Sequence, residues 1–310
     1  MSGFALFLGH MALTGWYAAK GAPEIKGLSF TLFLAGLTYL LVDNLGVFMT
    51  NRAGPFQISL DNLSTSLVII VMCFLLLRRL WKDWRMKEEL EGEFEAAREM
   101  QESLVQRMPE TPAFAIEAAY SPANHVGGDF YRIIPAPDGA ILVVAGDVSG
   151  KGLKAAMTVS VLVGAMESVE TRVPGLFLAK LNRATRAHLQ SGFVTCCCVR
   201  ISSAGELTVA NAGHLAPYLG GHEVTVESGL PLGLVAEAEY AETRLPWPPE
   251  AQLTLLSDGV VEAANAQDEL FGFDRTRAIS AQPAAEIAEA ARAWGQNDDI
   301  TVVTVRRTHS

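Results

Sequence analysis

Cysteine, histidine and aromatic residues are scarce in this chain: 4 Cys, 6 His and 8% Phe, Trp and Tyr among 310 residues. Cys73 stands alone in an apolar run, and Cys196, Cys197 and Cys198 are consecutive. Consecutive strand residues point to opposite faces, so the triplet has neither the two-residue gap of a zinc knuckle nor easy disulfide geometry. Small core residues in a reducing compartment are the expectation. Excess positive charge is also missing, since 24 Lys and Arg stand against 34 Asp and Glu for a net charge of −10. No basic stripe is left to neutralise phosphates, which excludes nucleic acid as the main partner. Nor does any Lys or Arg precede Lys20. The charged opening of a cleavable signal peptide is therefore absent, and the N-terminal apolar segments are expected to stay in the mature chain.

What is present divides the chain. The mean hydropathy of +0.23 is an average over two unlike regions. Apolar runs cover 3–19, 28–49 and 58–77, and a helix needs about 20 apolar residues to span a bilayer. Region 1–79 is thus expected to be an all-α transmembrane region of about three helices. Arg78, Arg79, Lys82, Arg85 and Lys87 crowd its far end, which places that end and the large domain in the cytoplasm. Lys20 and Lys26 fall on the same side, with Arg52 opposite. The N-terminus lies outside if all three segments insert, and inside if the first does not. Asp43 and Asn44 in the second segment reach an interface or mark a ligand or helix-pairing site.

Residues 80–108 are expected to form a linker helix, with Gly92 as their only Gly or Pro. Leu90, Phe94, Ala97, Leu104 and Met108 fit a four-three apolar seam that Gln101 interrupts. Two readings stand, a solvated helix packed on its own domain and a short coiled coil forming a homodimer. Pro109 and Pro112 close the helix and open a domain at 109–310.

Within that domain, strands are expected at 115–121, 129–134, 140–146, 193–201, 205–211, 214–219, 222–227, 251–256 and 299–306. Helices are expected at 153–170, 174–190 and 284–293, with short helices through 258–275. Strands joined by short turns, with helices in separate blocks, indicate an α+β domain with an antiparallel sheet core. Two motifs fail. Gly146-Asp147-Val148-Ser149-Gly150-Lys151-Gly152 has three residues between its first glycines where the Walker pattern needs four, and Gly152 replaces the magnesium-binding Ser or Thr. Gly127-Gly128-Asp129-Phe130 carries Phe where diguanylate cyclases require an acid.

Asp129, Asp147, Asp258 and Asp298 each sit at a strand edge beside Gly or a polar turn, where separate strands can converge. A lone Asp at such an edge is ordinarily a turn or capping residue; four suggest a site. Four anions within about 4–6 Å repel by about 1 kcal/mol per pair in water and more when desolvated. Hard divalent cations remove that cost, and oxygen-only ligation favours magnesium or manganese over zinc. Two such ions suit phosphomonoester hydrolysis.

Seven segments carry a family resemblance in order: Ala97–Leu104, Val126–Tyr131, Gly146–Gly152, Asn211–His214, Gly229–Gly233, Leu256–Val260 and Asn297–Thr301. Together they resemble the SpoIIE-type, RsbU-like branch of the type-2C metal-dependent serine/threonine phosphatases, over about 97–306. The resemblance implies a four-layer α-β-β-α sandwich with a centre of two Mn2+ or Mg2+ ions between the sheets. Asp147 would bridge the ions with the Val148 carbonyl on one of them. Asp258 and Asp298 would hold the first ion, and Asp129 would bind directly or through water. Asp299 falls where many relatives carry Asn. Metal-activated water would attack phosphorus in line without a phosphoenzyme.

The implied substrate is phosphoserine or phosphothreonine on a small regulator of the anti-sigma-factor-antagonist kind. The implied location is the bacterial inner membrane, multi-pass, with the phosphatase domain in the cytoplasm. Ser149 replaces the His proposed as general acid in the eukaryotic-type branch, and His214 is expected to serve a turn. Arg132 stands where the branch has Asp, either binding substrate phosphate near the metal edge or replacing a dispensable acid. The alternative function is a non-catalytic scaffold that binds a regulator. A further reading makes the membrane region a receptor acting through helix 78–108.

Overall fold

The computed structural model describes residues 72, 74–88, 91–92, 95, 98–99, 108–109, 111–189 and 192–308. Two compact units divide the chain, Met1–Glu88 and Glu89–Ser310.

In the first unit, residues 74–88 are helical. Arg78, Arg79, Lys82, Asp83, Arg85, Lys87 and Glu88 interrupt any apolar run along this stretch, and among the described residues no helix is long and apolar enough to cross a membrane. The expected multi-pass placement in an inner membrane is corrected accordingly. The segments 3–19, 28–49 and all of 58–77 except 72 and 74–77 lie outside the described residues. So do the linker positions Leu90, Phe94, Ala97, Gln101 and Leu104.

The second unit is built from two five-stranded antiparallel sheets. Its strands are β1 (Phe114–Ser121), β2 (Asp129–Pro135), β3 (Ile141–Val148), β4 (Val194–Ile201), β5 (Glu206–Ala212), β6 (Tyr218–Leu219), β7 (His222–Glu223), β8 (Thr243–Pro246), β9 (Leu253–Leu256) and β10 (Ile300–Arg307). The first sheet runs β1-β10-β9-β6-β7 and the second β2-β3-β4-β5-β8. Helices α1 (Leu153–Ser168), α2 (Pro174–Thr185), α3 (Asp258–Val261), α4 (Gly272–Ile279) and α5 (Ala284–Gly295) complete the domain.

Burial explains the sequence pattern. Ile141 to Ala145 form an unbroken apolar run because β3 lies inside its sheet and is covered on both faces. Helix α1 packs on β2 and β3 and α2 on β4 and β5, while α5 packs on β1 and β10. Strands β2 and β10 approach each other from opposite sheets. One core cluster contains β3 and β4 together with Leu253, Leu255, Val303 and Val305 from the other sheet. Cys196, Cys197 and Cys198 are free and fully buried within it, as small core residues.

The expected strands 214–219 and 222–227 shrink to the two-residue pairs β6 and β7. The Asn211 side chain is the reason at 214: its carboxamide accepts from the His214 N–H and donates to the His214 carbonyl, both at 2.8 Å, and folds the chain into a turn. Strand β8 adds an edge that the periodicity did not indicate. Pro246 ends it, and two of its four residues are exposed.

Candidate metal centre

The acids gather because three turns end at one place between the sheets. Asp129 begins β2 and pairs directly opposite Asp147 near the end of β3. Asp258 opens α3 directly after β9, and Asp298 and Asp299 lead into β10. Strands β9 and β10 are neighbours, and Ser257 fastens their ends. Its N–H donates to the Thr301 carbonyl at 2.9 Å, and its Oγ accepts from the Thr301 N–H at 2.9 Å and donates to the Asp299 carbonyl at 3.1 Å.

Asp129 is 1% exposed. Burial, then the charge of Asp147, pushes its carboxyl well above the usual range, while the hydrogen bond from Thr301 opposes the shift. Asp147 is pushed up to about 7, first by burial and then by Asp258, Asp298 and Asp299. Asp258 is raised by burial, then by Glu262 and Asp298. These mutual shifts show four separated chain segments within electrostatic reach of one another. A group of carboxylates held at this cost is short of positive charge.

Gly128 marks where the oxygens point. A Cβ there would lie 2.8 Å from both Asp147 Oδ1 and the Val148 carbonyl oxygen. Only a residue without a side chain leaves that space open to both oxygens. Asp299 fixes the same turn, accepting from the Gly128 N–H at 2.7 Å and the Ala123 N–H at 2.8 Å. The Val148 N–H donates to the Gly128 carbonyl at 3.1 Å.

Among the described residues, no three His, Cys, Asp or Glu side chains already meet at ligand positions. A hard ion such as Mg2+ keeps several waters and takes only one or two carboxylates directly, so the spread of acids with one backbone carbonyl fits it. The scarcity of thiol and imidazole donors disfavours zinc.

Asp147 thus stands opposite Asp129 and within electrostatic reach of Asp258 and Asp298, with Val148 beside it. Arg132 lies three residues beyond Asp129, on the opposite face of β2, where it is buried and ion-paired with Glu167 of α1. The His214 Nδ1 hydrogen-bonds at 3.0 Å to Oγ1 of Thr195, the residue paired opposite Asp147, and its Nε2 is buried without a hydrogen-bond partner. Burial lowers its pKa to about 4, so the imidazole is neutral, and its backbone closes the turn held by Asn211.

Three contributors were missed in the sequence: Thr301, which donates to Asp129, Ser257, which holds Thr301, and Lys151, whose Nζ lies 2.9 Å from Asp298 Oδ2. All three stand inside or beside the quoted motifs, so a role could have been sought there.

Comparison with known proteins agrees with this two-sheet fold. The family model described as Stage II sporulation protein E (SpoIIE) matches residues 137–308. The phosphoserine phosphatase RsbU of Bacillus subtilis is 25% identical over 241 residues, covering 71% of this chain and 72% of that protein. The SiaA-PP2C domain of Pseudomonas aeruginosa superposes with a TM-score of 0.61 at 23% identity, over 71% of this chain and 98% of that domain. The catalytic domain of the serine/threonine phosphatase PstP, solved with two manganese ions, gives a TM-score of 0.50 at 13% identity, over 64% and 99% of the two chains. With a match across most of its second unit and acids gathered between two facing sheets, this chain belongs to the SpoIIE family, in the RsbU-like branch of the type-2C phosphatases.

Proposed function

We propose that the chain is a metal-dependent protein phosphatase that hydrolyses phosphoserine and phosphothreonine on a small regulator protein of the anti-sigma-factor-antagonist kind. The observation that supports this reading is Asp147, paired opposite Asp129, raised by the charges of Asp258 and Asp298, and sharing with the Val148 carbonyl the space that Gly128 leaves open. The manganese pair in PstP and the phosphoserine named for RsbU support the cofactor and the substrate class.

Asp147 would hold both ions and the Val148 carbonyl one of them, Asp258 and Asp298 the first, and Asp129 would contribute directly or through water. When bound, Mn2+ or Mg2+ supplies water activation at neutral pH and electrostatic stabilisation of the phosphoryl oxygens. The chain's own part is to fix these oxygens in place. Gly128 keeps the approach open, Asp299 anchors the turn that carries it, and Thr301, itself held by Ser257, orients Asp129. No nucleophilic side chain is needed, and Ser149 is engaged with the Phe193 backbone, its Oγ accepting from that N–H at 2.9 Å.

The scaffold alternative draws only mild support from Arg132, which is ion-paired with Glu167 of α1. Domain 109–310 carries the activity, and the stretch 80–108 serves as its linker, either packed on its own domain or as a short coiled coil in a homodimer. Phosphate release from phosphoserine and phosphothreonine peptides by the full chain with Mn2+, against none from a phosphotyrosine peptide, tests the substrate class. Equal release from all three would reject it.

A further inference from the structure

A cation already stands at the acid cluster. Lys151 Nζ lies 2.9 Å from Asp298 Oδ2, with side chains 62% and 39% exposed, and the ammonium also feels Asp299 and Asp147. Its backbone setting gives it freedom to leave. Gly150 and Gly152 flank it at φ 105° and 76°, conformations suited to glycine, and both face open space. On one side Ser149 is pinned, its N–H donating to the Phe193 carbonyl at 3.0 Å and its Oγ accepting from the Phe193 N–H at 2.9 Å. On the other side α1 begins at Leu153. Lys151 is thus the charged tip of a short segment between two fixed points.

This inference rests on the reading of Asp298 as a metal ligand. Asp298 Oδ1 already accepts from the Asp299 N–H at 2.9 Å, so a divalent ion that takes Oδ2 competes with the Lys151 ammonium there and repels it. The freed lysine then carries three donors and a full charge on a long stem at the mouth of the site, where the next anion to enter is the substrate phosphate.

We propose that Lys151 is a tethered cation that occupies Asp298 in the metal-free protein, is displaced by the divalent ion, and then binds the phosphate of the substrate. The two roles have opposite signatures. Removing the charge removes a competitor for the metal and at the same time removes a partner for the phosphate.

The test is calorimetric and uses the full chain as wild type, Lys151→Met and Lys151→Arg. MnCl2 is titrated into metal-free protein, and inorganic phosphate into Mn2+-loaded protein. In Lys151→Met the Kd for Mn2+ is expected to fall about threefold, as for loss of one exposed ion pair. The Kd for inorganic phosphate is expected to rise about fivefold, as for loss of one solvent-exposed charge-assisted contact. Lys151→Arg, which keeps the charge, should return both values toward wild type. Unchanged or weaker Mn2+ binding in Lys151→Met, or unchanged phosphate binding, overturns the proposal while leaving the metal centre intact. Absence of Mn2+ binding by the wild type would overturn both.

Discussion

The Thr301 hydroxyl donates to Oδ2 of Asp129 at 2.6 Å, joining residues 172 apart across the space between the two sheets. Both residues are buried. Replacing Thr301 by Val keeps the shape and removes the donor. Thr301→Val should lower unfolding stability by about 1 kcal/mol, the typical net value of one such bond. Urea denaturation of metal-free protein checks this, and an unchanged midpoint would mean that the bond contributes nothing.

Asp299 works on the backbone. Asp299→Ala leaves the Ala123 and Gly128 N–H groups without their acceptor. Two lost bonds, offset in part by relief of repulsion from Asp298, should cost about 2 kcal/mol. Denaturant midpoints measure it. Because the Gly128 turn loosens, Mn2+ binding should weaken in the same variant although Asp299 is not assigned as a ligand.

The acids set a pH dependence whose sign follows from their direction of shift. Asp147 is raised from an ordinary 3.8 to about 7, so the folded protein binds more protons than the unfolded one between those values. Its contribution is fully present below about 4 and is lost as pH rises through about 7. Metal-free Asp147→Asn should therefore melt above metal-free wild type at pH 8, with the gap closing toward pH 4. Scanning fluorimetry in chelator reads the difference, and a wild type that melts higher at pH 8 would contradict it. Asp129, Asp258 and Asp299 are also raised, chiefly by burial, and act in the same sense.

Arg132 faces away from the chemistry. Arg132→Gln removes the ion pair with Glu167 from a buried position, and should lower stability by about 1–3 kcal/mol. Turnover on a phosphopeptide should stay within about twofold, since nothing at the acid cluster changes. A large fall in kcat with unchanged stability would restore a role at the site.

Legibility in the sequence followed distance along the chain. Strands β3 and β10 lie inside their sheets and could be read because burial on both faces writes mostly apolar runs, each with an Asp at one end; the edge strand β2 could be read from its bulky residues after Gly127-Gly128-Asp129. The edge pieces β6, β7 and β8 could not, because two to four residues carry no periodicity and the Asn211 side chain, not a hydrophobic pattern, turns the chain at His214. Thr301 to Asp129 and Lys151 to Asp298 are long-range contacts between short polar motifs, so spacing alone could not pair them. Arg132 was legible in principle: the alternation that turns Asp129 toward the other sheet turns Arg132 toward α1.

The most direct measurement compares phosphate release from a phosphoserine peptide by full-chain wild type and Asp147→Asn, each with chelator and with Mn2+. Turnover by the wild type only with Mn2+, and a rate at least about a thousandfold lower for Asp147→Asn, is the expected result for loss of the bridging carboxylate. Turnover that persists in chelator, or that survives in Asp147→Asn, would contradict a metal centre built on Asp147.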